Sequence, residues 1–134
     1  MKCLIIGLGT FGATLATSLT NQGQEVIGID HVAQRVEDIK DQLSVAYIMD
    51  ATERNALRQL PLNNLDCVVV CIGQNMDYSL RAVVALKELG VKKIYARAID
   101  ATHLSILRAM QIEEIFIPEE YAARMFADKL SQSE

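Results

Sequence analysis

The chain has 134 residues, 51% hydrophobic and 22% charged, with two prolines. That is enough apolar material for one folded domain with a real core, and too much for a disordered segment. The formal net charge of −4, with no basic block, excludes a general nucleic-acid surface, which needs clustered Lys and Arg. No apolar run approaches the roughly 20 residues of a membrane span, and the short opening run breaks into glycine too early for a signal peptide.

Leu4-Ile5-Ile6 reads as a strand, Gly7-Leu8-Gly9-Thr10-Phe11-Gly12 follows directly, and Ala13 to Leu19 has helical spacing. Strand, glycine turn and helix in this order carry the G-x-G-x-x-G spacing of a dinucleotide site. Gly7 permits the tight turn, Gly9 lets a pyrophosphate approach the backbone, and Gly12 lets the helix lie close on the sheet. The helix N-terminus offers free N–H groups to an anion. Next, Gln22-Gly23-Gln24 reads as a turn and Glu25 to Ile29 as a second strand, closed by Asp30. This acid stands roughly 20 residues beyond the glycines, where a carboxylate accepts hydrogen bonds from an adenosine ribose; the plainer reading is a helix cap. Asp30 also repels a 2′-phosphate. Although Arg35 lies a turn further on, NAD(H) or simple adenine nucleotides are therefore favoured over NADP.

Val32 to Gln42 has helical character, with Val36, Ile39 and Leu43 as its stripe. Val45 to Met49 is a third strand, ending in Asp50-Ala51-Thr52, where Asp50 or Thr52 can cap a short helix from Glu53 to Leu60. Pro61 to Asn64 is a loop. Cys67 to Ile72 is a continuous apolar run, as in a central parallel strand, and stops at Gly73. Asn75 to Leu89 is the strongest helix, with Asn75 and Asp77 placed to cap it and Gly90 to end it. Lys93 to Ala96 is a strand with Arg97 at its end, Ala101 to Met110 a helix, and Ile115 to Ile117 a sixth strand, stopped by Pro118. Glu119 to Leu130 is a final helix, and Ser131 to Glu134 reads as a frayed tail. The alternation predicts an α/β, Rossmann-like, doubly wound parallel sheet of six strands in the order 3-2-1-4-5-6. Cys3, Cys67 and Cys71 read as buried small hydrophobes. His31 reads as a solvated loop residue and His103 as an ordinary helix residue, neither of them a metal ligand.

In this architecture a ligand lies at the carboxyl ends of the strands, at the switch point. The residues there are Gly7 to Gly12 with Thr10 and Phe11, Asp30 and His31, Asp50, Ala51 and Thr52, Ile72 and Gly73, and Arg97, with Glu119 just beyond. Asp50 and Thr52 are placed to meet an adenine edge, Gly73 to give room beside the sugar, and Arg97 to meet phosphates. The plainer readings are a helix cap for Asp50 and a surface ion pair for Arg97. A dehydrogenase also needs a substrate pocket and an acid or base near the nicotinamide, and the strands and their helices use up nearly the whole chain. Binding without turnover is therefore the expectation. The last helix, with Tyr121, Met125, Phe126 and Leu130, either packs on its own sheet or docks on another subunit; together with the apolar surfaces around Asn75–Leu89 and Ala101–Ile112 it points to a homodimer or larger ring.

These residues resemble a known family. Gly7-Leu8-Gly9-Thr10-Phe11-Gly12, Asp30, Asp50-Ala51-Thr52, Ile72-Gly73, Leu86-Lys87-Glu88-Leu89-Gly90 and Ile117-Pro118-Glu119 are similar to the N-terminal nucleotide-binding (TrkA-N) domain of the RCK/KTN regulators of K⁺ conductance, over nearly all of residues 1–134. The resemblance implies a cytoplasmic ligand-sensing subunit: Rossmann dimers in an octameric ring beneath a K⁺ channel or transporter, converting binding of NAD(H), ADP, ATP or AMP into gate movement. It also implies that Glu119 helps hold a divalent cation, Mg²⁺ or Ca²⁺, and that residues 119–134 form a crossover helix and tail reaching the partner subunit. Thr10 stands where ATP-preferring members commonly carry Arg. The family's C-terminal ligand-binding domain is not among these residues, so regulation through it is not carried over. The alternatives are the nucleotide-binding fragment of an NAD-dependent oxidoreductase and a regulatory domain of a cation/proton antiporter.

Overall fold

In the computed structural model, which describes residues 1–133, strands and helices alternate from end to end. They are β1 (Lys2–Ile6), α1 (Thr10–Asn21), β2 (Glu25–Asp30), α2 (Ala33–Ile39), β3 (Val45–Ile48), α3 (Arg54–Leu57), β4 (Cys67–Val70), α4 (Met76–Glu88), β5 (Ile94–Arg97), α5 (Ala101–Ala109), β6 (Glu114–Phe116) and α6 (Pro118–Gln132). The strands form one six-stranded sheet in the order β3-β2-β1-β4-β5-β6, every pairing parallel. This is the Rossmann-like, doubly wound arrangement that the alternation predicts.

Successive residues of a strand face opposite ways, and the strands sort their side chains accordingly. Leu4 and Ile6 of β1 join Val68 and Val70 of β4 in a core with Leu57 of α3, Val83 and Leu86 of α4 and Leu107 of α5. Ile5 and Val69 face the other way, into a core with Ala16 of α1 and Val36 and Ile39 of α2. Helices α1 and α2 thus cover one face and α3, α4 and α5 the other. Each large apolar side chain buried this way contributes about 1.5–3 kcal/mol. Over the α1–α2 face, Tyr95 of β5 and Phe116 of β6 stay half-buried, and Phe116 packs on Phe11 with ring centroids 5.3 Å apart.

Several local expectations change. The helix expected over Glu53–Leu60 is a single turn, Arg54–Leu57, after which Gln59 and Leu60 bond three residues back to Ala56 and Leu57. Asp50 instead accepts from the backbone N–H and hydroxyl of Thr52. Helix α2 ends at Ile39 and passes into a 3₁₀ turn, and β4 ends at Val70, short of Ile72. Asn75 caps α4 by accepting from the Tyr78 N–H, whereas Asp77 pairs with Arg81 one turn on. Helices α4 and α5 spend most of their apolar surface on their own core, leaving Val84 and Ile106 exposed. Residues Ser131 and Gln132, expected to fray, continue α6; Glu134 lies outside the described residues.

His103 is the clearest change, because it is fully buried. The Ile99 N–H donates to its Nδ1 at 2.9 Å, which places the proton on Nε2, 3.1 Å from the Ser79 hydroxyl. Burial pushes its pKa below the usual histidine range. It is a neutral core residue joining α4 to α5.

Helix α6 has no buried residue, and none of its residues belongs to either core. Pro118 at its first turn starts it after the extended Ile117, and the helix leaves the sheet.

Candidate functional site

The strand order reverses between β1 and β4. There the loops at the carboxyl ends open a cleft of about 480 Å³, a size suited to a small-molecule ligand. Its floor is the glycine turn. Gly7 has φ +97°, a conformation that other residues rarely adopt, and its N–H still bonds Ile29 O at 2.9 Å. A Cβ on Gly12 would lie 1.8 Å from Gly7 O, so this glycine sets how closely α1 crosses the turn. A Cβ on Gly9 would meet nothing within 4 Å, because that position faces open space on the cleft wall. Gly9 is the N-cap of α1, with no side-chain cap and no acid in the first turn. The first-turn N–H groups are left for an anion.

Asp30 is 5% exposed. Its Oδ2 accepts from the Leu8 N–H and its Oδ1 from the Val32 N–H, both at 2.8 Å, and Arg35 Nη1 lies 3.6 Å from Oδ2. The carboxylate therefore fastens the glycine turn to the β2–α2 loop, and His31 Nδ1 lies 3.7 Å from its Oδ1. His31 is exposed but leans on the Tyr78 ring, centroids 5.0 Å apart. The Ala51 N–H donates to the Tyr78 hydroxyl at 2.9 Å, and burial pushes the phenol up to about 12. Partial burial pushes Asp50 up too, but the hydrogen bonds from Thr52 and Tyr78 outweigh it and hold the carboxyl below its usual range.

Arg97 closes the far side. Its guanidinium lies over Gly73, where a Cβ would be 2.7 Å from Nη1, and 6.0 Å from the centroid of Phe11. Nη2 donates to Glu119 Oε2 at 2.6 Å, and Nε is buried without an acceptor among the described residues. The room expected beside Gly73 is thus filled by Arg97 itself. Burial pushes the neighbouring Cys71 thiol up to about 12, with Arg97 opposing it, and Cys67 is likewise pushed to about 12 by burial beside Cys3. These thiols stay protonated, as buried small hydrophobes do.

Of the expected site residues, Gly7, Gly9, Thr10, Phe11, Asp30, His31, Ala51, Ile72, Gly73 and Arg97 line the cleft. Gly12 works one layer below, and Asp50 and Thr52 turn towards each other beside the cleft. Glu119 sits outside it, held by Arg97. Among the described residues no three His, Cys, Asp or Glu side chains stand together as a metal site. Gln74, Asn75 and Tyr78 also line the cleft, beyond the residues that the strand ends point to. A signal existed: Asn75 caps the helix leaving β4 at the switch point, and Tyr78 is in its first turn.

A doubly wound sheet with a glycine turn and a buried acid at one cleft defines a Rossmann-type nucleotide-binding fold. The chain belongs to the TrkA-N domain family, whose pattern matches residues 3–118. It is 34% identical over 126 residues to the Ktr system potassium uptake protein C of Bacillus subtilis, covering 94% of this chain and 57% of that protein. It is 32% identical over 127 residues to the Ktr system potassium uptake protein A of the same organism, covering 95% and 57%. The chain thus spans just over half the length of these relatives. Among solved structures, the NAD(P)-binding domain of an exopolyphosphatase-related protein from Archaeoglobus fulgidus shares the fold with a TM-score of 0.86 at 21% identity, over 97% of each chain. A GsuK channel bound to NAD shares it with a TM-score of 0.75 at 14% identity, over 87% of this chain and 21% of that one.

Proposed function

We propose that this chain is a non-catalytic nucleotide-sensing module of a K⁺ channel or transporter, working at the cytoplasmic face of the membrane. An adenine nucleotide in the cleft would bias how the assembled subunits sit. The observation that carries this reading is the cleft itself: an uncapped glycine turn and a buried acid face the same space at the switch point. The potassium-uptake relatives support the transport context. The GsuK structures bound to NAD and to ADP support the ligand class. Phosphates rest on the first turn of α1, Asp30 takes the ribose, and Arg97 faces the phosphate chain. Thr10 puts no cation in the glycine turn for a terminal phosphate, so NAD(H), ADP or AMP suit it better than ATP.

A thermal-shift series with NAD, NADH, NADP, ATP, ADP and AMP, with and without Mg²⁺, tests the reading. A ligand at about 100 times its Kd adds about 2.7 kcal/mol of apparent stability. Gly9→Val fills the open space beside α1 and is expected to weaken NAD and ADP at least about tenfold, roughly 1.4 kcal/mol, while the fold tolerates it. Unchanged affinity in that variant would remove the glycine turn from the site. Steady NADH consumption with a hydroxy acid would overturn the non-catalytic reading.

Helix α6 carries the assembly part of the proposal. Tyr121, Met125, Phe126 and Leu130 are each more than half exposed, an apolar stripe that a soluble protein covers with a partner. The occupant we assign is a second copy of the chain, whose half-covered Tyr95 and Phe116 offer a receiving face. Domain exchange of this kind gives a dimer from which the octameric ring implied by the family resemblance can be built. Met125→Glu with Phe126→Glu is expected to weaken dimerisation on the order of 100-fold, without changing the circular dichroism spectrum. Analytical ultracentrifugation reads this directly, and an unchanged dimer would move the interface elsewhere.

A further inference from the structure

We propose that Arg97 and Glu119 form a latch between the cleft and helix α6, opened by a ligand's phosphate chain. This inference rests on the nucleotide reading above and adds the route by which the ligand is felt at α6. Glu119 lies in the first turn of α6 and accepts from Arg97 at 2.6 Å. The other side-chain hydrogen bonds of α6 among the described residues, Glu120 with Arg124 and Ser133 with Lys129, stay within or just beyond the helix. With no residue of α6 buried, the Arg97 pair is the polar side-chain tie from this helix to the sheet.

The two ends of the pair differ. The Arg97 side chain is 17% exposed and that of Glu119 is 67% exposed. The guanidinium lies on the cleft wall, over Gly73 and beside Phe11 of the glycine turn, and its Nε has no acceptor among the described residues. A mostly buried cation is thus shared between the cleft and a carboxylate that stands largely in water. Phosphate oxygens arriving along the glycine turn offer Arg97 a bidentate, charge-assisted partner. Glu119 and phosphate then compete for one guanidinium. Phosphate in the cleft releases α6 at its first turn, and a closed latch weakens phosphate binding by the same factor. Adenosine carries no phosphate and does not enter the competition.

An ion pair with one partner largely in water contributes only modestly, so the coupling is expected at about two- to fivefold. Isothermal titration in Mg²⁺-free buffer tests it with ADP and adenosine. Glu119→Gln, at an exposed position, should tighten ADP by that factor and leave adenosine unchanged. Arg97→Ala should weaken ADP, and adding Glu119→Gln to it should bring no further gain. Hydrogen exchange of amides 119–123 should quicken when ADP binds the unaltered chain; in Glu119→Gln it should be fast with or without ADP. If ADP binds but Glu119→Gln leaves its affinity unchanged or lowers it, the latch is wrong and the nucleotide reading stands. If neither ADP nor adenosine binds, the nucleotide reading fails and the latch falls with it.

Discussion

Gly12→Ala is expected to cost about 3 kcal/mol or more, a large loss for one methyl group. The added Cβ would sit 1.8 Å from Gly7 O and 2.9 Å from Gly7 C, with the Cys71 side chain 3.2 Å away on the other side. The first two atoms are backbone, in a turn held by the positive φ of Gly7 and by its bond to Ile29 O. No rotamer change relieves such a contact, so α1 must lift off the sheet, and its Ala16 parts from Ile5 and Val69. Denaturant unfolding measures the loss as a fall in midpoint, and nucleotide binding should go with it, because the same turn is displaced. Gly9→Ala is the matched control: it adds the same methyl group where nothing lies within 4 Å, so the loss should stay near the cost of Ala for Gly at a helix N-cap, about 1 kcal/mol or less. If Gly12→Ala unfolds at the same denaturant concentration as the unaltered chain, helix and turn do not approach each other as described.

Asp30→Ala is expected to damage both fold and binding. Its carboxylate satisfies the buried Leu8 N–H and the Val32 N–H, and an unsatisfied buried donor costs about 1–3 kcal/mol. Arg35, 3.6 Å away, loses its partner as well. Nucleotide affinity should fall on the order of 100-fold, since a ribose acceptor and the shape of the turn disappear together. Asp30→Asn separates the two roles. Its amide keeps the volume and one acceptor oxygen, so enough of the fold should survive for titration at a temperature where circular dichroism shows it intact. Under those conditions ADP and NAD should still bind at least about tenfold more weakly. Full affinity in a folded Asp30→Asn would leave this residue as a tie between two loops and nothing more.

The strand-and-helix alternation was legible because a parallel sheet covered on both faces demands unbroken apolar runs, as in Leu4–Ile6 and Cys67–Val70, separated by amphipathic helices. The glycine turn and Asp30 were legible because their spacing follows from the geometry of one strand–turn–helix unit. Residues whose role depends on a distant neighbour were not. His103 shares a helix face with Leu107, one turn on, which hinted at burial. Nothing local shows Ser79 waiting 24 positions earlier to meet its Nε2. Gly73 read as space for a sugar, until Arg97 from the next strand came to lie on it.

Reading residues in order was thus sufficient for the sheet, its strand order, the glycine turn and the acid beside it, because each depends on contacts within one turn or one crossover. Where α6 goes was settled only in three dimensions. Its stripe of Tyr121, Met125, Phe126 and Leu130 says that the helix seeks cover, but periodicity does not say whose. The exit direction after Ile117 carries those side chains away from their own sheet and leaves Arg97 holding Glu119 at the edge of the cleft. Hydrophobic pattern records a residue's preference for burial, and only the path of the whole chain decides which surface satisfies it.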